Sequence, residues 1–302
     1  MRTTTAVLAV SLSTTAFAQV SDVVFFGDSL SDVGNVNALT LGLLPGANYF
    51  DGRFSNGQLF SEYLASDLGL PAPVNSLAGG DNFAFGGAGA AGNNFIGVIP
   101  SVENQVADYL GSNVPQGDEL FVVWGGSNDI IDGDDDGFNG DAAAAIASSA
   151  GDLATAGAQF IAVLNLVPLG QTPRALGTAN ESVFDDAAIA FNAALAAGLA
   201  DVRTNHPTVE LIEIDVFDAF GDILADPSSF GLTNITDDAQ GAGLGFDEAD
   251  GFLFWDDIHP TTAGHRLLTD EIFAALPASV TGVPEPSVIG VAALGLLLRR
   301  RR

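Results

Sequence analysis

The feature that most constrains the fold is an alternation of short apolar runs with longer segments of helical periodicity. Runs with the length and apolar character of buried strands lie at residues 23–26, 120–124, 160–166 and 209–214. Segments with the apolar spacing of helices lie between and after them, at residues 59–68, 102–110, 141–158, 182–204 and 261–276. Strands that are apolar on both faces are typical of parallel sheets. The alternation therefore predicts an α/β fold, with a mainly parallel central sheet covered by helices on both sides.

The charge and the cysteine content of the chain exclude several classes of partner and chemistry. The 302 residues include 38 acidic side chains against nine Arg and no Lys, and the formal net charge is −29. A field of this sign repels phosphate backbones, so we expect no nucleic-acid partner. The chain contains no Cys, which excludes disulfides, thiol catalysis and zinc sites built from Cys.

The first residues of the chain have the character of a targeting segment. Residues 1–18 combine Arg2, a mildly apolar stretch and the cleavage pattern Ala16-Phe17-Ala18. This order predicts a secretory signal peptide. We therefore exclude these residues from the fold, and expect one domain over residues 19–282.

The last twenty residues, 283–302, also have the character of a targeting segment. Pro284-Glu285-Pro286 precedes an apolar stretch and four Arg, and the stretch of about eleven residues is shorter than the roughly 20 that a spanning helix needs. The order resembles the PEP-CTERM sorting tail of Gram-negative bacteria. That resemblance implies export, processing by an exosortase and a destination in the periplasm, on the cell surface or in the extracellular matrix. A plain membrane anchor is the alternative, and the tail implies transient association with the membrane.

A candidate nucleophile follows the first predicted strand. In parallel sheets ligands bind at the carboxyl ends of the strands. Ser29 follows the strand directly, in Gly27-Asp28-Ser29, and a serine on a sharp turn there exposes its hydroxyl at the rim of the sheet. Serine needs a base to be nucleophilic at neutral pH. The alternative for an isolated Gly-Asp-Ser is a turn whose side chains cap a helix.

His259 is the histidine best placed to act as that base, because Asp256 precedes it by three residues. In a helical turn, positions i and i+3 project to one side, so Asp256 can accept a hydrogen bond from the imidazole and fix its tautomer. Asp257 would point elsewhere. The other two histidines, His206 and His265, are predicted to be surface residues.

Two further segments offer donors for an oxygen that becomes negative during a reaction. Asn128 lies after the second predicted strand, in Gly126-Ser127-Asn128-Asp129, and its side-chain amide can donate to such an oxyanion. The glycines of the segment around Gly86 allow a backbone N–H to approach a ligand closely. Taken alone, the Asn128 segment is more typical of an ordinary turn, and the segment around Gly86 does not by itself indicate a site.

Together, these segments resemble the sequence blocks of the GDSL (SGNH) hydrolase family of esterases and lipases, and they occur in the family's order. The matching segments are residues 26–35, 52–57, the region of Gly86, 126–129 and 256–259. The resemblance implies a flavodoxin-like three-layer α/β/α sandwich. It also implies that Ser29 is the nucleophile, that His259 is the base oriented by Asp256, and that Ser29, Gly86 and Asn128 form the oxyanion hole, with no cofactor required. The glycine is doubled in this sequence, and we choose Gly86, with Gly87 as the alternative.

The activity implied is hydrolysis of a small-molecule, lipid or carbohydrate ester through an acyl-enzyme intermediate. A carbohydrate deacetylase or an acyltransferase would use the same triad, because the triad does not select water over another acceptor. A non-catalytic surface or matrix binding module on a hydrolase scaffold is a third possibility.

An acidic loop after the Asn128 segment resembles the first half of a calcium-binding loop. Asp132, Asp134 and Asp136 alternate, and Gly137 occupies the sixth position. The twelfth position is Ala143, where such loops need a bidentate Glu. We therefore expect a solvated acidic loop, with calcium binding as the alternative.

Overall fold

The structure is a computed structural model that describes residues 20–94, 98–133 and 141–282. The predicted signal peptide and the predicted sorting tail lie outside the described residues. Of the acidic loop, Asp132 and Gly133 are described, whereas Asp134 and Asp136 are not.

The centre of the molecule is a sheet of four parallel strands in the order β1-β2-β3-β4. The strands are β1 (Asp22–Gly27), β2 (Glu119–Trp124), β3 (Phe160–Leu164) and β4 (Glu210–Ile214). Residues 81–85 run beside the outer edge of β1, where Phe83 N donates to Phe25 O at 2.7 Å and Phe85 N donates to Gly27 O at 3.1 Å. With this edge segment included, the order corresponds to that of flavodoxin-like sheets.

Helices cover both faces of this sheet. Their bounds are α1 (Asn35–Leu39), α2 (Phe60–Asp67), α3 (Val102–Ser112), α4 (Ser127–Ile131), α5 (Asp141–Ala156), α6 (Asn180–Asn205), α7 (Val216–Ala225), α8 (Thr262–Ala275) and α9 (Ala278–Thr281). The five helices and four strands predicted from periodicity are all present within a few residues of their expected bounds. Helix α7 was not predicted, nor was the short parallel pair β5 (Asn234–Asp238) and β6 (Phe252–Phe254).

Alternation along the strands divides the core into two layers. Val24 and Phe26 of β1 pack into the cluster that contains residues of α3, α5 and α6. Val23 and Phe25 point the other way, into the cluster that contains residues of α2 and α8. Because successive side chains of a strand face opposite sides, a strand buried on both faces reads as a continuous apolar run. The expected three-layer α/β/α arrangement is confirmed.

Helix α6 is, by length and composition, apolar enough to cross a membrane. In the structure, its buried side chains recur at spacings of three and four residues and belong to the core cluster on one face of the sheet; they are Phe184, Ala188, Phe191, Leu195, Leu199 and Val202. Through this stripe, one side of α6 packs on the core of the protein.

Candidate active site

The chain makes a tight turn at the carboxyl end of β1, and this turn presents Ser29. A side chain at Gly27 would lie 2.5 Å from Trp124 O, so only glycine fits there. Gln105 holds both backbone groups of Gly27, with bonds of 2.8 Å to its N and 2.9 Å to its O. Asp28 then closes the turn by accepting from Leu30 N at 3.0 Å. Ser29, 7% exposed, lies at the rim of the sheet.

His259 lies in the loop between β6 and α8, and Asp256 shapes that loop. Asp256 Oδ1 accepts from the backbone N–H of Ile258 at 2.9 Å and of His259 at 2.7 Å. Trp255 N donates to His259 O at 2.8 Å and closes the loop. The carboxylate that orients the imidazole therefore also fixes the backbone that carries it.

Three predicted residues meet in one chain of hydrogen bonds. His259 Nε2 lies 2.8 Å from Ser29 Oγ, and His259 Nδ1 lies 2.7 Å from Asp256 Oδ2. Ser29 and His259 are 230 residues apart in the sequence, so the sheet brings them together. Asp257 turns away from the imidazole and pairs with Arg174 at 2.8 Å.

Asn128 lies after β2 and contributes to the same site as Ser29 and His259. It is the second residue of α4, and its Nδ2 donates to Ala88 O at 2.9 Å. An amide nitrogen carries two hydrogens, so this bond leaves one donor. Asn128 lines the same pocket as Ser29 and His259.

The backbone N–H of Gly86, expected to serve the oxyanion hole, has another partner in the structure. It donates to Asp32 Oδ2 at 2.9 Å, which is at odds with the expected role of Gly86 as an oxyanion donor, because that N–H is already engaged. A side chain at Gly86 would overlap the Phe54 ring at 2.3 Å. The next residue, Gly87, has a φ of 80°, in the left-handed region that favours glycine. One glycine is thus required by packing and its neighbour by backbone conformation.

A buried polar network joins the turn after β1 to the edge segment that carries Gly86. Asp32 is fully buried and accepts from four backbone N–H groups, those of Gly34, Asn35, Val36 and Gly86. Asn35 Nδ2 donates to Asn82 O at 2.7 Å, and Asn82 Nδ2 donates to Ser31 O at 2.7 Å. Sequence reasoning placed these residues inside family blocks but gave them no role. Their role is to fix the distance between two loops of the site.

Tyr49 is a residue of the site that sequence reasoning missed. Its hydroxyl donates to Asp256 Oδ2 at 2.7 Å, across 207 residues of chain. Burial would raise the pKa of Asp256, but the charge of His259 and the hydrogen bonds from His259 and Tyr49 outweigh it and hold that pKa well below its usual range. The Tyr49 ring lies 6.1 Å from Phe54, whose ring lies 5.3 Å from that of His259.

Two other titratable groups lie near His259. Burial raises the pKa of Asp28 to about 6. His265, predicted to be a surface residue, is instead fully buried against Phe60. Neither of its ring nitrogens has a hydrogen-bond partner in the described part of the chain, and burial lowers its pKa to about 3.

The calcium prediction stays a prediction. Asp132 is exposed, and its predicted companions Asp134 and Asp136 lie outside the described residues. Within residues 20–94, 98–133 and 141–282, no three acidic or histidine side chains gather as metal ligands would.

Comparisons with known proteins agree with this geometry. Residues 23–272 match the family model described as GDSL-like Lipase/Acylhydrolase. The chain is 28% identical to a phosphatidylcholine-sterol acyltransferase of Aeromonas hydrophila, over 83% of this chain and 88% of that protein. It is 26% identical to a GDSL esterase/lipase of Arabidopsis thaliana, over 83% of this chain and 87% of that protein.

The fold is similar to that of a solved alpha/beta hydrolase from the metagenome of Lake Arreo, Spain. That structure aligns with a TM-score of 0.50 and 15% identity, over 86% of this chain and 97% of the solved one. The family match spans most of the chain and every segment that forms the site. The chain therefore belongs to the family of GDSL-like lipases and acylhydrolases.

Proposed function

We propose that this protein is a serine esterase that hydrolyses carboxylic esters through an acyl-enzyme intermediate. The observation that carries the proposal is the continuous hydrogen-bond chain from Ser29 Oγ through His259 to Asp256, with distances of 2.8 and 2.7 Å. A hydroxyl, an imidazole and a carboxylate in this order are the parts needed for nucleophilic catalysis.

In the first half-reaction, Ser29 Oγ attacks the ester carbonyl carbon while His259 Nε2 takes the hydroxyl proton. Asp256 accepts from Nδ1 and stabilises the imidazolium that forms. The bond from carbon to the alcohol oxygen then breaks, and His259 gives its proton to the departing alcohol. In the second half-reaction a water attacks the acyl-enzyme, His259 takes the water's proton and returns it to Ser29 Oγ, and the carboxylic acid leaves.

The carbonyl oxygen becomes negative in both tetrahedral intermediates and needs donors. We assign the remaining N–H of Asn128 Nδ2 and the backbone N–H of Ser29 to this task. For the third donor we replace Gly86 by Gly87, because Asp32 holds the Gly86 N–H.

The decisive experiment compares the parent protein with Ser29→Ala on p-nitrophenyl esters, acetylated sugars and phospholipids. The parent is expected to hydrolyse at least one class, and the variant to lose that activity. Ser66→Ala, at an exposed position of α2, is the matched control and should behave as the parent. Full activity in a folded Ser29→Ala protein, or no hydrolysis by the parent, would refute the proposal.

Acyl transfer is the second candidate, favoured by the similarity to an acyltransferase. It differs only in the acceptor, since an alcohol would attack the acyl-enzyme in place of water. Adding a lipid alcohol or a sugar to the same assay and measuring new ester by mass spectrometry separates the two functions.

We also propose that the enzyme works outside the cytoplasm, on the strength of the signal-like residues 1–18 and the tail at 283–302. Expression of the full chain in a Gram-negative host tests this. Mature protein that begins near residue 19 and occurs outside the cytoplasm is expected, whereas an intact N-terminus on cytoplasmic protein would contradict it.

A further inference from the structure

An apolar pocket opens beside the hydroxyl of Ser29. Ser29, Asn128 and His259 line it together with residues from the loops after the strands and from α7 and α8. Most of its wall is aliphatic or aromatic and well buried, including Trp124, Leu169, Phe220, Ile223, Phe254 and Leu268. None of these apolar residues has a part in the proposed chemistry, so the pocket needs another explanation.

The two helices that wall the pocket lead away from the site. Helix α7 begins just after β4 ends at Ile214, at the carboxyl edge of the sheet, and α8 begins just after His259. On α8 the lining residues are Gly264, Leu268 and Glu271, which share one side of the helix. At 1.5 Å of rise per residue, they cover about 10 Å along the helix axis. The pocket therefore extends from the catalytic end of α8 to the exposed carboxylate of Glu271.

The chemistry of the wall suits a hydrocarbon and not a sugar. Apart from Glu271 and the catalytic groups, the polar residues of the wall are Asp28, Ser127 and Thr172. Asp28 and Ser127 adjoin Ser29 and Asn128 at the catalytic end, and Thr172 already donates its hydroxyl hydrogen to Leu169 O at 2.8 Å. A sugar hydroxyl pressed against the apolar residues would lose its hydrogen bonds to water without replacement, which is costly. A methylene chain gains by the same burial, about three- to fourfold in binding for each CH₂.

We propose that this pocket binds the acyl chain of the substrate, so that the enzyme prefers aliphatic acyl esters of several carbons to acetyl esters. This inference rests on the proposed esterase function and specifies its substrate class. Glu271 sets the upper limit of chain length, because the end of a longer chain would displace water from an exposed carboxylate.

The test measures kcat/KM for p-nitrophenyl esters from acetate to laurate. For the parent protein, we expect kcat/KM to rise at least tenfold from acetate to an optimum near octanoate and then to fall towards laurate. Ala219 lines the pocket from α7 and is half-buried. In Ala219→Phe the added ring occupies the space that the acyl chain would take. The ratio of kcat/KM for octanoate to kcat/KM for acetate should therefore fall at least tenfold. Ala225→Phe, exposed on the same helix and outside the pocket, is the matched control and should keep the ratio of the parent.

A second variant tests the outer end of the pocket and does not add bulk to the core. Glu271→Leu removes the exposed carboxylate, and the laurate-to-octanoate ratio should rise at least threefold. Glu103→Leu, exposed on α3, controls for loss of a negative charge and should leave this ratio unchanged.

The outcomes separate this inference from the function on which it rests. A flat chain-length profile in a parent whose hydrolysis depends on Ser29 overturns the pocket assignment and leaves the esterase in place. The pocket assignment is also overturned if Ala219→Phe folds and keeps the octanoate-to-acetate ratio of the parent. If Ala219→Phe does not fold, an unchanged laurate-to-octanoate ratio in Glu271→Leu overturns it. Failure of the parent to hydrolyse any ester overturns both proposals.

Discussion

His259 and His265 lie on either side of the start of α8, and both are buried, but their surroundings are opposite. Each ring nitrogen of His259 has a partner, Asp256 on one side and Ser29 on the other. Among the described residues, neither nitrogen of His265 has one, and its ring stacks on Phe60. The comparison shows that the hydrogen-bond partners of a buried imidazole determine whether it can take part in proton transfer. His259 is held where it can exchange a proton, whereas burial keeps His265 neutral.

The largest effect expected from this comparison is on catalysis. His259→Asn removes the proposed base and should lower kcat on the order of 10⁴-fold or more. His265→Leu removes an imidazole that touches no reacting group and should keep kcat within a few-fold of the parent. Initial rates on a chromogenic ester check both. Equal losses in the two variants would erase the functional distinction between the histidines.

The next effect concerns the oxyanion. Asn128→Ala removes a donor that strengthens its bond only as charge develops on the substrate oxygen, so kcat should fall about 10²- to 10³-fold with little change in KM. A fall in kcat/KM that comes entirely from KM would instead assign Asn128 to ordinary substrate binding.

His265 should show itself in the pH dependence of stability. Its pKa is about 6.5 in the unfolded chain and is lowered by burial to about 3 in the folded one. A lowered histidine pKa contributes stability that is present above pH 6.5 and is lost as the pH falls towards 3. Between pH 7 and pH 4, His265→Leu should therefore lose roughly 2–4 kcal/mol less unfolding free energy than the parent.

Urea unfolding at the two pH values measures this difference. The buried Asp28 works in the opposite direction, because its raised pKa of about 6 favours the folded state in acid and loses that contribution as the pH rises through 6. Comparing parent and variant at each pH cancels this background. Parallel pH slopes in the two proteins would mean that His265 gains a proton without unfolding the chain.

The smallest effect is expected at Tyr49. Tyr49→Phe removes the hydroxyl that donates to Asp256 and lets the pKa of that carboxyl rise towards its usual value. Because the usual value of 3.8 is still acidic, Asp256 stays ionised at pH 7 and largely so at pH 5, and kcat should fall only two- to tenfold, with a larger fall near pH 4. Tyr63→Phe, whose hydroxyl bonds to Thr262 on the neighbouring helix, is the control. A pH-independent loss in Tyr49→Phe would mean that the hydroxyl only supports the loop.

Local patterns explain what could be predicted from the sequence. The strands could be predicted because each is an apolar run buried on both faces, and the pair of Asp256 and His259 because three residues in one turn bring them together. The burial of His265 could have been predicted from the spacing of the apolar residues around it, but a histidine is polar and we expected it at the surface. His265, Leu268 and Ile272 follow helical spacing on the buried side of α8, and the buried Leu276 follows directly after the helix.

Other features depend on contacts that no local pattern encodes. The bond from Tyr49 to Asp256 requires a long loop to fold back across the site. Which of Gly86 and Gly87 offers a free N–H depends on where Asp32 places its carboxylate. The pocket between α7 and α8 depends on how two helices that are separated by residues 226–261 pack together.

The most direct test of the account is the site of covalent reaction with an alkyl phosphonate ester, a probe that traps activated serines. Intact-mass and peptide analysis should find one adduct, on Ser29, in the parent and in His265→Leu. His259→Asn should react far more slowly, and Ser29→Ala should remain unmodified. An adduct on another residue, or equal labelling rates with and without His259, would contradict the claim that His259 activates Ser29.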